Sequence, residues 1–240
     1  MSMVLLVALL VPRAVHGQVP GRFVNDSSTG CKFWWPNYVY GDVKSFRWNG
    51  PCVNGLANGH GSFELVTEGG APRKRTTEVG EGEASEGRLS GRAFVNGPTW
   101  RTEGEFRNGV LNGRGIVASE NRYAKTHYEG EFKDGVATGR GTSDDELYDE
   151  NGGPPVIVHR QADWNGNASK AIVTMRVPGC SAPYRYEGEM HNGGYYDGRG
   201  TLQAPDGKTY TGLWSNGVIT TEGREIDGSD PNLIRRACRK

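Results

Sequence analysis

The stretch Tyr128–Gly141, YEGEFKDGVATGRG, decides how this chain folds. Tyr128, Gly130 and Phe132 are spaced by two, so in a strand they share one face and alternate with Glu129 and Glu131. Asp134-Gly135 is a dipeptide that accepts positive φ at both positions and reverses the chain into a second strand. Gly-Arg-Gly, residues 139–141, then gives the returning strand a flat face. Counted from the tyrosine, glycines fall at +2, +7, +11 and +13.

The same offsets recur along the chain. WNGPCVNGLANGHG from Trp48 and TEGEFRNGVLNGRG from Thr102 reproduce all four glycines. YEGEMHNGGYYDGRG from Tyr186 runs one residue late after Gly193, and YTGLWSNG from Tyr210 keeps Gly212, Trp214 and Gly217. A worn copy begins at Gly80, with Ala93 at its last position. Asn54-Gly55, Asn108-Gly109 and Asn216-Gly217 repeat the turn signal. A single hairpin is marginal in water, whereas stacked hairpins bury a continuous aromatic stripe, so recurrence predicts a solenoid. With 37 glycines, 12 prolines and 35% hydrophobic residues, the composition suits a thin, turn-rich β structure better than one thick core.

The pattern Tyr-x-Gly-x-Phe-x-x-Gly-x-x-x-Gly-x-Gly resembles the MORN repeat, a β-hairpin unit of about 23 residues in that family. The segment GCKFWWPNYVYGDVKSFRWNGPCVNGLANGHG, residues 30–61, is similar to the cysteine-containing first repeat of exported bacterial members. The resemblance covers residues 30–142 and 184–224 and fails at 62–77 and 143–183. It implies an all-β, elongated single-layer array of antiparallel hairpins that works through protein–protein contact or self-association. The expected division is a signal peptide at 1–17, an N-terminal cap at 18–44, repeats at 45–142, an irregular insertion at 143–183, repeats at 184–226 and a C-terminal cap at 227–240.

Met3–Val11 is an apolar run far short of the roughly 20 residues that cross a bilayer. Pro12 and the small-residue site Val15-His16-Gly17 follow it, which is the layout of a cleaved secretory signal and predicts a periplasmic or secreted protein. The four cysteines, Cys31, Cys52, Cys180 and Cys238, are even in number and lack the close spacing of a zinc site. Disulfides Cys31–Cys52 and Cys180–Cys238 are one reading; buried free thiols are the other, with more weight for the second pair. Val156-Ile157-Val158 and Ala171-Ile172-Val173 look like strands within the insertion. Asp230 and Pro231 would start a short basic helix that closes the array.

Twenty-eight basic residues balance 28 acidic ones, which argues against a nucleic-acid partner and gives a membrane surface little electrostatic help. Arg114 and Arg140 fall where the returning strands could pair with the glutamates of a neighbour, predicting an outer ladder of ion pairs. The run around Asp144, Asp145 and Glu146 reads as a solvated loop. Five scattered histidines and the absence of a nucleophile elbow, a His-Glu-x-x-His helix or a phosphate loop predict a non-enzymatic protein, with no cofactor or metal. A site hidden in residues 143–183 is the remaining enzymatic reading. Candidate partner or ligand contacts are Trp34 and Trp35, for which an end-cap role is preferred, and Tyr195 and Tyr196 at a corner with one extra residue. The leading functional reading is an interaction scaffold; the alternative is a binding module for cell-envelope glycan or lipid headgroups.

Overall fold

The computed structural model describes residues 20–36, 41–69, 73–149, 152–164, 168–191, 195–221, 224–227 and 238. The expected signal peptide, and the C-terminal helix apart from Cys238, lie outside these residues. The described chain is all-β and forms antiparallel hairpins. The strands are β1 (Gly21–Asn25), β2 (Lys32–Pro36), β3 (Asp42–Asn49), β4 (Cys52–Val53), β5 (Leu56–Ala57), β6 (Gly59–Gly69), β7 (Lys74–Ser85), β8 (Arg88–Asn96), β9 (Trp100–Arg107) and β10 (Val110–Glu120). They continue as β11 (Ala124–Lys133), β12 (Val136–Leu147), β13 (Val156–Trp164), β14 (Ala168–Arg176), β15 (Tyr184–His191), β16 (Tyr195–Gln203), β17 (Thr209–Ser215), β18 (Val218–Thr221) and β19 (Arg224–Asp227).

Two compact units share these strands; of the described residues, one holds those up to Ser119 together with Glu131–Val136, and the other holds Glu120–Gly130 and those from Ala137 onward. In the first, β3 and β6 to β10 lie side by side in the order β3-β6-β7-β8-β9-β10, and a small sheet β1-β2-β5-β4 forms a second layer. In the second, β12 to β19 follow one another in chain order.

Every expected turn dipeptide adopts the expected backbone. Asn54, Asn108, Asp134 and Asn216 have φ of 54°, 53°, 50° and 49°, and the glycine after each is also positive. Positive φ at two successive residues is the type I′ geometry whose twist matches flanking strands. The worn copy turns in the same way at Glu86-Gly87, where glutamate takes φ 51°. Each turn is also tied to the hairpin before it. The N–H of Gly87 donates to the Ala57 carbonyl, that of Gly109 to Leu89 and that of Gly135 to Leu111, at 2.8 to 2.9 Å. Gly217 repeats the bond to Tyr196 at 2.8 Å.

The glycines of Gly-x-Gly divide the labour expected of them jointly. The first, such as Gly113 at φ 121°, sits where the β9–β10 register shifts, so it makes a bulge. The second pairs with the glycine two after the aromatic: Gly200 faces Gly188. A Cβ on either glycine would collide with the Tyr186 hydroxyl end. At Gly188 and Gly200, as at Gly130 and Gly141, the paired glycines therefore seat the repeat's own tyrosine. Tyr186 then donates its O–H to the Glu189 carbonyl at 2.7 Å.

Residues 143–183 differ from the irregular insertion expected there. β13 and β14 pair over eight residues, from Ile157↔Arg176 to Trp164↔Ser169, and β12 and β15 flank them in register. Alternation rather than glycine spacing builds this hairpin: Val158, Ala162, Ala171 and Val173 are buried in one core with Tyr184 and Tyr186. The acidic run is likewise strand, not loop. β12 extends to Leu147 and turns Asp145 inward, where it is buried.

Candidate binding surface

The N-terminal cap is built around Asp26. Its carboxylate accepts from the Ser28 amide and hydroxyl, the Thr29 amide and the Trp48 amide, at 2.6 to 3.2 Å. The Ser28 hydroxyl and the Trp48 amide hold this carboxyl well below the usual range, more than offsetting its burial. Asp26 thereby ties the turn before β2 to the open side of β3. The disulfide Cys31–Cys52, with Cα atoms 6.0 Å apart, fixes the same end.

From this anchor β2 crosses the inner face of the sheet. Phe33 packs against Phe46, Trp48 and Phe63 with centroids 5.1 to 5.7 Å apart, and Trp35 meets Phe63 edge-on at 5.3 Å. Trp34 points to the other side, against Gly21 and Gly109, with the Arg88 guanidinium 4.6 Å from its ring. The amides of Lys32 and Trp34 donate to the turn carbonyls of Gly55 and Gly87. Trp34 and Trp35 are thus buried parts of an end cap. Beyond them β1 is the outer strand of its small sheet, and it leaves Phe23 44% exposed.

Between β2 and the strands β8 and β9 lies a void of about 30 Å³, lined by Trp34, Trp35, Pro36, Val95, Trp100 and Phe106 among others. Glu78 on β7 is buried, and burial pushes its carboxyl up to about 7. Neither Glu78 nor Trp100 stood out in the sequence. Counting back by twos from Gly80 was the signal that would have turned Glu78 inward.

In the second unit Tyr186 and Tyr196 stack with centroids 3.8 Å apart, and Trp214 meets both edge-on. Tyr196 is therefore core: it holds the second position after its turn, which Leu111 and Leu89 hold in other hairpins. Tyr195 is half-buried, its ring 5.7 Å from that of His191. His191 also reaches Asn216 at 3.3 Å and Asp197 at 3.6 Å. Asp145 forms an ion pair with Arg160 and lies beside Ser143, yet burial still pushes its carboxyl up. Cys180 and Cys238 are joined, their Cα atoms 4.6 Å apart, and Cys238 packs against this core.

The outer face carries charge but no ladder. Arg92 is in register with Glu105, yet Arg92, Arg114 and Arg140 form no ion pair among the described residues. The exposed ion pairs that do form use other residues: Arg101 pairs with Glu103 and Arg185 with Glu187 along one strand, while Lys125–Glu146 and His159–Asp144 cross between strands. His60 lies between Glu81 and Glu83, at 3.1 and 3.5 Å. Long exposed side chains gain too little from pairing to be held in one geometry. Among the described residues no group of three or more His, Cys, Asp or Glu is placed to hold a metal, and no helix is long and apolar enough to cross a membrane.

No curated protein matches the chain. A family model does: that of the MORN repeat, at residues 103–120, 128–144 and 186–209. The matched stretches at 103–120 and 128–144 carry the type I′ turn, all three carry the Gly-x-Gly return described above, and the hairpins at 48 and 80 share the turn geometry outside them. The chain therefore carries MORN repeats, a module that binds proteins or membranes, at three places in an all-β array of hairpins.

Proposed function

We propose that this protein is an exported, non-enzymatic scaffold that associates with a protein partner or with itself. The observation that carries this reading is the open edge of the cap. Among the described residues β1 is paired on one side only and presents an exposed Phe23, whereas the interior edges are paired hairpin to hairpin. An outer strand with unpaired amides and an exposed aromatic is a template for strand addition. Export is supported by the apolar run at Met3–Val11 and by two disulfides, which persist in oxidising compartments. Of the four aromatic residues singled out in the sequence, we assign partner contact to Tyr195, the half-buried one, and structural roles to Trp34, Trp35 and Tyr196.

Light scattering on the mature protein tests this. Concentration-dependent oligomers, or a defined partner enriched from envelope extracts, should appear and should weaken in Phe23→Lys. A strictly monomeric protein that enriches no partner refutes the scaffold. Retention on purified peptidoglycan or lipid vesicles instead would favour the headgroup or glycan reading.

A further inference from the structure

The strand pairing of the cap fixes which backbone groups stand on its open edge. β1 runs antiparallel to β2, with Arg22 opposite Trp35, Phe23 opposite Trp34 and Val24 opposite Phe33. The amides of Lys32 and Trp34 donate away from β1, to the Gly55 and Gly87 carbonyls. Backbone groups alternate sides along a strand, so Phe33 and Trp35 are the residues of β2 that bond to β1. Their partners Val24 and Arg22 therefore point their amides and carbonyls at β2. The Asp26 amide, which donates to the Cys31 carbonyl at 2.8 Å, continues the same phase. Gly21, Phe23 and Asn25 are left with amides and carbonyls turned to the open edge, where no strand meets them among the described residues.

One face of that edge also carries unmatched positive charge. The Arg88 guanidinium lies 5.6 Å from the centroid of the Phe23 ring and 4.6 Å from that of Trp34. Lys32 is exposed, stands opposite Asn25 and shares the face of Trp34. Neither Arg88 nor Lys32 forms an ion pair among the described residues. The strands of the small sheet hold no aspartate or glutamate, and Glu86, in the exposed turn before Arg88, pairs with neither cation.

We infer that this edge receives an extended acidic segment of a protein partner, with carboxylates at alternate positions. Such a segment adds as a further strand beside β1. Its main chain bonds to Gly21, Phe23 and Asn25, and its side chains supply the choice of sequence. The residue opposite Phe23 projects on the face where Arg88 lies, and the one two places along, opposite Asn25, on the face of Lys32. A carboxylate at the first position takes charge-assisted hydrogen bonds from the guanidinium. A second copy of this chain fits less well. β1 laid against β1 would set two Arg88 groups on one face, like charge beside like. The Glu-x-Glu pairs of the repeats, such as Glu81 and Glu83 or Glu103 and Glu105, lie in strands already paired on both sides. This assignment rests on the protein-binding reading and names the chemistry that the partner brings to it.

Calorimetric titration of the full oxidised chain with acetyl-Thr-Glu-Val-Glu-Thr-amide at low ionic strength tests the edge. Saturable binding is expected, about tenfold weaker when glutamine replaces both glutamates of the peptide. Arg88→Gln should weaken binding by a similar factor. Phe23→Pro deletes an outward amide and spares the bonds to β2, so it too should weaken binding. Circular dichroism checks its fold, and if it does not fold, Arg88→Gln decides. Equal binding of the glutamine peptide, or unchanged binding to Arg88→Gln or to folded Phe23→Pro, overturns the proposal. Phosphatidylglycerol vesicles bound through Arg88, with no binding of the peptide, overturn it in favour of a membrane. Self-association of the wild-type chain that the peptide dissolves places a second copy on the edge and overturns the assignment to a separate partner. A protein enriched from envelope extracts and not released by the peptide overturns the acidic segment while leaving the scaffold function standing.

Discussion

Replacing Glu78 by glutamine should stabilise the protein, and increasingly so as the pH rises. Burial alone raises this carboxyl from 4.5 to about 7. A raised carboxyl binds its proton more tightly folded than unfolded. Folding therefore loses stability as pH rises from about 4.5 to about 7, and the loss is complete above that range. At 1.36 kcal/mol for each pKa unit, the two and a half units amount to about 3 kcal/mol at pH 8 and only a few tenths at pH 4.5. Glutamine keeps the shape and a neutral polar head, so its stability relative to protonated Glu78 is a constant that does not vary with pH. The signal is the change in the gap. Guanidinium unfolding of oxidised wild-type and Glu78→Gln proteins, followed by tryptophan fluorescence, should show the difference widening in favour of Gln by about 3 kcal/mol between pH 4.5 and pH 8. Parallel stability curves across that range would mean that Glu78 is solvated or paired, and the reasoning would fail.

Asp26→Ala should cost about 1.5–3 kcal/mol, since it removes an ionised acceptor from four donors including the buried Trp48 amide. Because the folded carboxyl lies below its ordinary 3.8, that difference should be full above pH 4 and shrink as pH falls further, as read by thermal melts. Gly188→Ala should lower stability by about 1–3 kcal/mol in the same assay, because the added methyl meets the Gly200 backbone and the Tyr186 hydroxyl. Removing Cys31–Cys52 or Cys180–Cys238 by paired serine substitution should cost about 3 and about 4 kcal/mol, from closed loops of 21 and 58 residues. Arg114→Glu and Arg140→Glu should each change stability by less than about 0.5 kcal/mol at low salt, since neither makes an ion pair; a large loss would restore the outer ladder.

The turns were legible because only asparagine, aspartate and glycine adopt their backbone cheaply, and four of the five were marked in that way. Glu86 was not, and its turn was readable only from the glycine after it. The inward aromatics followed from spacing by two. Alternation was legible only in part: Val156–Val158 and Ala171–Val173 read as strands, but not their length or their pairing with the hairpins on either side. The hairpin β13–β14 has no glycine offsets, yet Val158, Ala162, Ala171 and Val173 hold it in register as firmly as a turn would. Asp145 escaped for the complementary reason: its acidic neighbours suggested solvent, while its place opposite Val158 and beside Arg160 was visible only once the strands were paired. Tyr196 looked displaced by an extra residue, but the hairpin absorbs that residue and keeps the ring facing Tyr186.

The bonds from each turn glycine to the preceding hairpin give the array a direction. In Gly87 to Ala57, Gly109 to Leu89 and Gly135 to Leu111 the earlier hairpin always supplies the acceptor and the later one the donor. A carbonyl left waiting is readily solvated, whereas a buried amide left without an acceptor is not. For these turn amides a chain emerging from its N-terminus finds each acceptor already in place, whereas in the cap the amides of Lys32 and Trp34 wait for the later carbonyls of Gly55 and Gly87. Truncation should be unequal for the same reason: hairpins lost from the C-terminal end strip carbonyls, while hairpins lost from the front strand amides.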